Sequence, residues 1–112
     1  MALFILPDAQ EDLLWLQEYM LDKWSEADWL KAEEEIFEKL ALVDTGFLNG
    51  APVQELASVG IFEYQNVFTS HHKLVYRRIN ADVYVYAIAA HRQDFPKLLM
   101  KRLLKIYSTA GA

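Results

Sequence analysis

Apolar positions recur with two different periods along this chain, and each change of period marks an element. Residues 2–6, ALFIL, form a short apolar run ended by Pro7, which predicts an edge strand. From Asp8 the spacing becomes helical, with Ala9, Leu13, Leu16 and Met20 on one face and Leu14 and Leu21 widening the stripe. Asp8 is the expected N-cap, and Glu11 completes a capping-box pattern. Ser25 stops and restarts the chain, with Asp28 at the third position behind it. The second helix is expected from Glu26 to Leu42. Trp29, Ala32, Ile36, Leu40 and Val43 form its inner face, and Glu33, Glu34, Glu35 and Glu38 its wet side. So short a break implies an antiparallel helical hairpin.

Between Asp44 and Gly60 the periodicity dissolves at Gly46, Asn49-Gly50, Pro52 and Gly60, predicting a surface loop with a turn near Gln54-Glu55-Leu56. A period of two then returns in three runs: Ile61 to Phe68, Lys73 to Ile79, and Val83 to Ala90. Thr69-Ser70-His71 and Asn80-Ala81-Asp82 are the expected turns. The last run, VYVYAIAA, is uncharged on both faces, as a strand covered on both sides should be. Asp94 caps a final helix with Pro96 in its first turn. Phe95, Leu99, Leu103 and Ile106 should face inward, and Lys97, Lys101 and Lys105 should line up beside Arg102 as a cationic stripe. The expected fold is α+β: an N-terminal strand, an α-helical hairpin, a three-stranded antiparallel meander and a C-terminal helix.

With 112 residues, 54% of them hydrophobic, the chain is expected to be a single domain, 1–112, with one real core. It has no cysteine, which excludes disulfides and thiolate metal sites. No apolar run reaches the roughly 20 residues of a membrane span, and the start lacks the cationic opening of a signal peptide. The net charge of −5 hides an asymmetry: residues 1–70 hold three lysines and fourteen acids, residues 71–112 eight cations and two acids. Either the C-terminal half presents a cationic surface, or acidic helices lie beside a basic sheet and compensate it.

Polar chemistry collects at the end of the covered strand, in His91, Arg92, Gln93 and Asp94. His91 suits acid–base work near neutral pH, or a structural hydrogen bond. Arg77 and Arg78 suit a phosphate, or ion pairs with helix acids. His71 and His72 are expected in a solvated turn, pointing to opposite faces, so no metal site is expected. Trp15, Tyr19, Trp24 and Trp29 are many aromatics for one helical hairpin, and some should line an apolar groove for a partner.

The ordered set DAQEDLLWLQEYMLDKW, EIFEKLALV, a Gly/Pro loop, HHKLVYRRI and VYVYAIAAHRQDFP resembles the RelE/ParE family of type II toxin–antitoxin toxins, closer to the ParE-like branch, over residues 3–96. The resemblance implies a bacterial, cytoplasmic growth inhibitor, of the plasmid-stabilisation kind, bound by a cognate antitoxin in a hetero-oligomer, without cofactor, metal or membrane. ParE-like members inhibit DNA gyrase. RelE-like members cleave messenger RNA on the ribosome without metal. On that reading the candidate target contacts are Lys73, Arg77, Arg78, His91, Arg92, Lys97 and Lys101, and the aromatics Trp15, Tyr19, Trp24 and Trp29 are the candidate antitoxin contacts. A nuclease would draw on Lys73, Arg78, His91 and Arg92, with Gln54 or Glu55 near a family carboxylate. The strand from Ile61 to Phe68 carries no Lys or Arg, which favours the gyrase branch. A non-toxic interaction module of the same fold is the third reading.

Overall fold

A computed structural model gives the backbone of residues 2–91 and 93–110 and the side chains as far as Arg102. Its organising element is the strand β5 (Asp82–Ala90), which lies inside a five-stranded sheet between β1 (Leu3–Ile5) and β4 (His72–Ile79). The sheet continues through β3 (Tyr64–Phe68) to the two-residue edge β2 (Ala51–Pro52). β1 runs parallel to β5, and every other pairing is antiparallel. The expected meander is therefore present, extended by one strand on each side. Among the described residues no helix is long and apolar enough to cross a membrane.

Two helical layers cover the sheet. On one face lies the hairpin of α1 (Pro7–Lys23) and α2 (Glu26–Thr45). Leu16, Met20, Trp29, Ile36, Leu40 and Val43 meet Leu74, Tyr76, Val83, Val85 and Ile88 there. On the other face the short α3 (Gln54–Ala57) and α4 (Phe95–Ala110) enclose Val53, Leu56, Val75, Ala87, Ala89, Phe95 and Leu99. Both faces of β5 are covered, which explains why its run from Val83 to Ala90 carries no charge. Leu103, Lys105 and Ile106, assigned above to the faces of the last helix, have side chains outside the described residues.

Ser25 caps α2 as expected: its Oγ accepts from the Asp28 N–H at 3.1 Å and donates to the Asp28 carboxylate at 2.8 Å. The helix ends at Gly46, whose φ of 84° closes the last turn in the left-handed region. The expected Asp8 cap is not formed. α1 begins at Pro7, with Leu6 in the cap position. The Leu6 N–H is still bonded to the Val85 carbonyl, so the chain passes directly from sheet to helix, and Pro7, which has no N–H to satisfy, starts it. Two further boundaries differ from expectation. α2 runs on to Thr45, and β3 starts at Tyr64 because the Ile61 N–H closes the α3 turn on the Leu56 carbonyl.

β5 also contains an irregularity that the alternation pattern does not reveal. Val75 pairs with Ala87 and Tyr76 with Val85, so Tyr86 is an extra residue in the ladder. The bulge reverses the facing of everything after it. Val83 and Val85 point toward the helical hairpin, and so does Ile88, while Ala87 and Ala89 point toward α4. Because β1 ends at Ile5 opposite Val85, the edge of β5 beyond that point has no strand partner. Side chains satisfy it instead: Arg102 donates to the Tyr86 carbonyl, Asp12 accepts from the Ile88 N–H, and Gln93 accepts from the Ala90 N–H.

Candidate functional site

Between α1 and the adjoining ends of β4 and β5 lies a cleft of about 510 Å³. Trp15, Tyr19 and Trp24 form one wall, and His71, His72, His91 and Gln93 the other. Trp15 and Tyr19 stack, with ring centroids 5.5 Å apart, at 50% and 42% exposure. Trp24, 52% exposed, meets the His71 ring edge-on at 5.0 Å. Three large aromatics held half in water are an apolar surface of the kind that partners use.

Trp29 is not part of this wall. It is 3% exposed and sits in the core, because residues 29, 32, 36, 40 and 43 are the stripe that α2 turns toward the sheet. Its expected place in a partner groove is corrected to a packing role, with its ring 6.5 Å from that of His72.

The expectation of a solvated histidine pair is also corrected. His72 is 2% exposed, and its Nδ1 has no hydrogen-bond partner among the described residues. Burial, and then the neighbouring His71 and His91, push its pKa down to about 4, with Glu35 opposing. His71 lies in the bend before β4 begins, so strand alternation does not separate the two rings, and both border the cleft. His91 stacks on Phe68 at 5.9 Å, and its Nε2 lies 3.0 Å from the Thr69 carbonyl oxygen. Among the described residues no three groups could hold a metal ion.

The cations do not assemble into one centre. Arg78 pairs with Val83 beside the β4–β5 turn, whereas His91 follows Ala90, which pairs with His72 at the opposite end of the strands. The expected grouping of Arg78 with His91 is therefore undone: antiparallel pairing sets them on opposite ends of the same hairpin. The Arg78 guanidinium donates to the Val43 carbonyl at 2.6 Å and ties the sheet to the end of α2. Arg77 lies on the other face, 5.9 Å over the Tyr64 ring, away from the acids of the N-terminal helices. Lys73 shares that face and sits over the rings of Phe95, at 4.0 Å, and Phe68, at 5.5 Å. Asp94 caps α4 through the Lys97 N–H, and Lys97 and Lys101 are exposed on that helix. Arg92 lies outside the described residues. Gln54 is exposed on α3, and the neighbouring Glu55 has a buried carboxylate oxygen without a hydrogen-bond partner among the described residues.

Arg102 departs most from the expected stripe. It turns inward to Asp12, at 2.5 Å, and to the Tyr86 carbonyl, at 2.8 Å, with Asp8 3.9 Å away. Burial raises the Asp12 carboxyl, against the lowering effect of the Ile88 N–H and the Arg102 guanidinium. The acidic N-terminal half and the basic C-terminal half are joined at this pair. A second depression of about 320 Å³ continues from the cleft past Trp15 and Gln93 to Glu11, Asp12 and Ile88. On the opposite face an apolar cavity of about 310 Å³, lined by Leu56, Val75, Ala87 and Leu99 with Tyr64 and Tyr86, lies beside α4.

Sheet order, helical hairpin and terminal helix together define an α+β fold. A chain of the chromosomal ParDE TA system from P. aeruginosa is similar to this one, with a TM-score of 0.65 at 15% sequence identity, over 80% of this chain and 95% of that one. At that identity the likeness establishes the fold. No family model matches the sequence, and no curated protein matches it.

Proposed function

We propose that this protein is the toxin of a type II toxin–antitoxin module, a cytoplasmic growth inhibitor that acts on DNA gyrase in the manner of ParE-like proteins. In this reading the cognate antitoxin seats an apolar segment in the cleft beside Trp15, Tyr19 and Trp24 and forms a hetero-oligomer with the toxin. The observation that carries the proposal is the pairing of a ParDE-like fold with a half-exposed aromatic cleft. The exposed Lys97 and Lys101, with Arg92, remain the candidate contacts to the target. Lys73 and Arg77, held against rings on the α4 face, are weaker candidates, and Arg78 is assigned to structure.

The nuclease reading would need Lys73, Arg78 and His91 around one phosphate. Their separation onto two faces and two ends of the β4–β5 hairpin speaks against it. Expression in a bacterium without antitoxin tests the proposal. The expected result is growth arrest, with a DNA-damage response preceding any fall in translation. Early loss of translation with messages cut at ribosomal A sites would replace it with the nuclease reading. Unimpaired growth at full soluble expression would leave only an interaction module.

A further inference from the structure

All three histidines of the chain border one cleft, whose described lining contains no Lys, Arg, Asp or Glu. The His71 and His72 rings are 6.1 Å apart, and His91 contributes to the effective charge felt by His72. No acid lines the cleft itself; Glu11, Glu18 and Asp22 lie outside it, exposed along α1. α1 presents Trp15, Tyr19 and Met20 to the cleft, none of them a carboxylate or a cation. α2 presents Trp29 and Glu35, and the Glu35 carboxylate is already taken by the N–H and hydroxyl of Ser70, at 2.8 and 3.1 Å. From the end of β3 and the turn after it come Phe68 and the Thr69 carbonyl. Lys73 lies outside the lining, over Phe95 at 4.0 Å and over Phe68, the ring on which His91 stacks, at 5.5 Å. The cleft is thus uncharged while its histidines are neutral and gains adjacent positive charges once they are protonated.

We propose that this cleft is a proton-controlled docking surface: it receives an apolar antitoxin segment while its histidines are neutral and releases it as they take up protons. The inference rests on the toxin–antitoxin reading above. An apolar occupant removes water from the imidazoles, so a proton costs more in the complex than in the free protein, and affinity must fall with pH. Charge complementarity argues for an apolar segment flanked by basic residues: Glu11, Glu18 and Asp22 are exposed along α1 beside the aromatic wall and would repel carboxylates.

The test uses the full chain and N-phenyl-1-naphthylamine, an uncharged aromatic fluorophore, titrated from pH 7.5 down to the lowest pH at which far-ultraviolet circular dichroism is unchanged. Affinity is expected to fall by at least about tenfold across that range, because any proton taken up by the free cleft must be released on docking. The His71→Gln/His91→Gln variant should hold its affinity within about twofold over the same range, its residual dependence coming from His72. Flat binding by the wild-type chain overturns the inference, and so does an equal fall in the variant. Growth arrest tests the toxin reading separately. A toxic chain with a pH-insensitive cleft overturns only this inference, and a non-toxic chain with a pH-sensitive cleft overturns only the toxin reading.

Discussion

Replacing Arg102 by Met keeps most of the side chain's length but removes the guanidinium, and it tests how the two halves of the chain are joined. In the wild type this group contacts the Asp12 carboxylate and the Tyr86 carbonyl, and Asp8 is close by. The side chains of Arg102 and Asp12 are 19% and 11% exposed, so solvent screens the pair only in part. Breaking a fully buried pair costs about 3–5 kcal/mol, because the surviving charge stays desolvated. A hydrogen bond to a charged group is itself worth about 1.5–3 kcal/mol. With the residual exposure, Arg102→Met should cost about 2–4 kcal/mol, a large share of the stability of a small domain. Urea denaturation at pH 7 measures the loss. Asp12→Asn keeps an acceptor for the Ile88 N–H, so a double-mutant cycle of the two positions isolates the charge pair. A coupling of at least about 1 kcal/mol is expected. Additive losses, or a loss below about 0.5 kcal/mol for Arg102→Met, would mean that Arg102 is a solvated member of the lysine stripe, as its spacing alone suggests.

Two further predictions follow from burial. The folded-state pKa of His72, about 4, lies below the ordinary histidine value of 6.5, so its contribution to stability is complete above pH 6.5 and is lost as pH falls toward 4. The wild-type chain should therefore lose about 2 kcal/mol more than His72→Leu between pH 7.5 and 5.0 in paired denaturation curves, and parallel curves would refute the burial of the neutral ring. Trp29→Ala should cost about 3–5 kcal/mol, whereas Trp24→Ala should cost less than about 1 kcal/mol and weaken partner binding instead. Comparable thermal shifts for the two variants would contradict their assignment to core and cleft.

Much of the architecture is legible in the residues themselves. The stripe Trp29, Ala32, Ile36, Leu40 and Val43, the Ser25 cap and the uncharged run of β5 each encode their surroundings through local spacing, and each is found as expected. The candidate site is less legible. Trp29 and Trp24 look alike in the sequence, and only the packing of α2 on the sheet buries one and leaves the other half in water. His72 carries no mark that separates it from His71, yet at the edge of the same cleft one is buried and the other sits part-buried in a bend.

What the sequence determined alone was therefore the main elements, their order and the inner faces of the hairpin helices, because periodicity and capping act over three or four residues. Relative positions across the sheet were decided by the tertiary structure. Strand pairing sends Arg78 and His91 to opposite ends of one hairpin, the Tyr86 bulge reverses the facing of Ala87 and Ile88, and the short reach of β1 leaves backbone groups that draw Arg102 and Asp12 together. The contacts of Arg102 join residues 16 to 90 positions apart, and no local pattern carries them. Charge shows the same division. The acidic first half and basic second half are evident by counting, but whether they expose a cationic surface or neutralise each other depends on which side chains the fold brings within hydrogen-bond distance. Arg102 is drawn into compensation, while Lys97 and Lys101 are left in solvent.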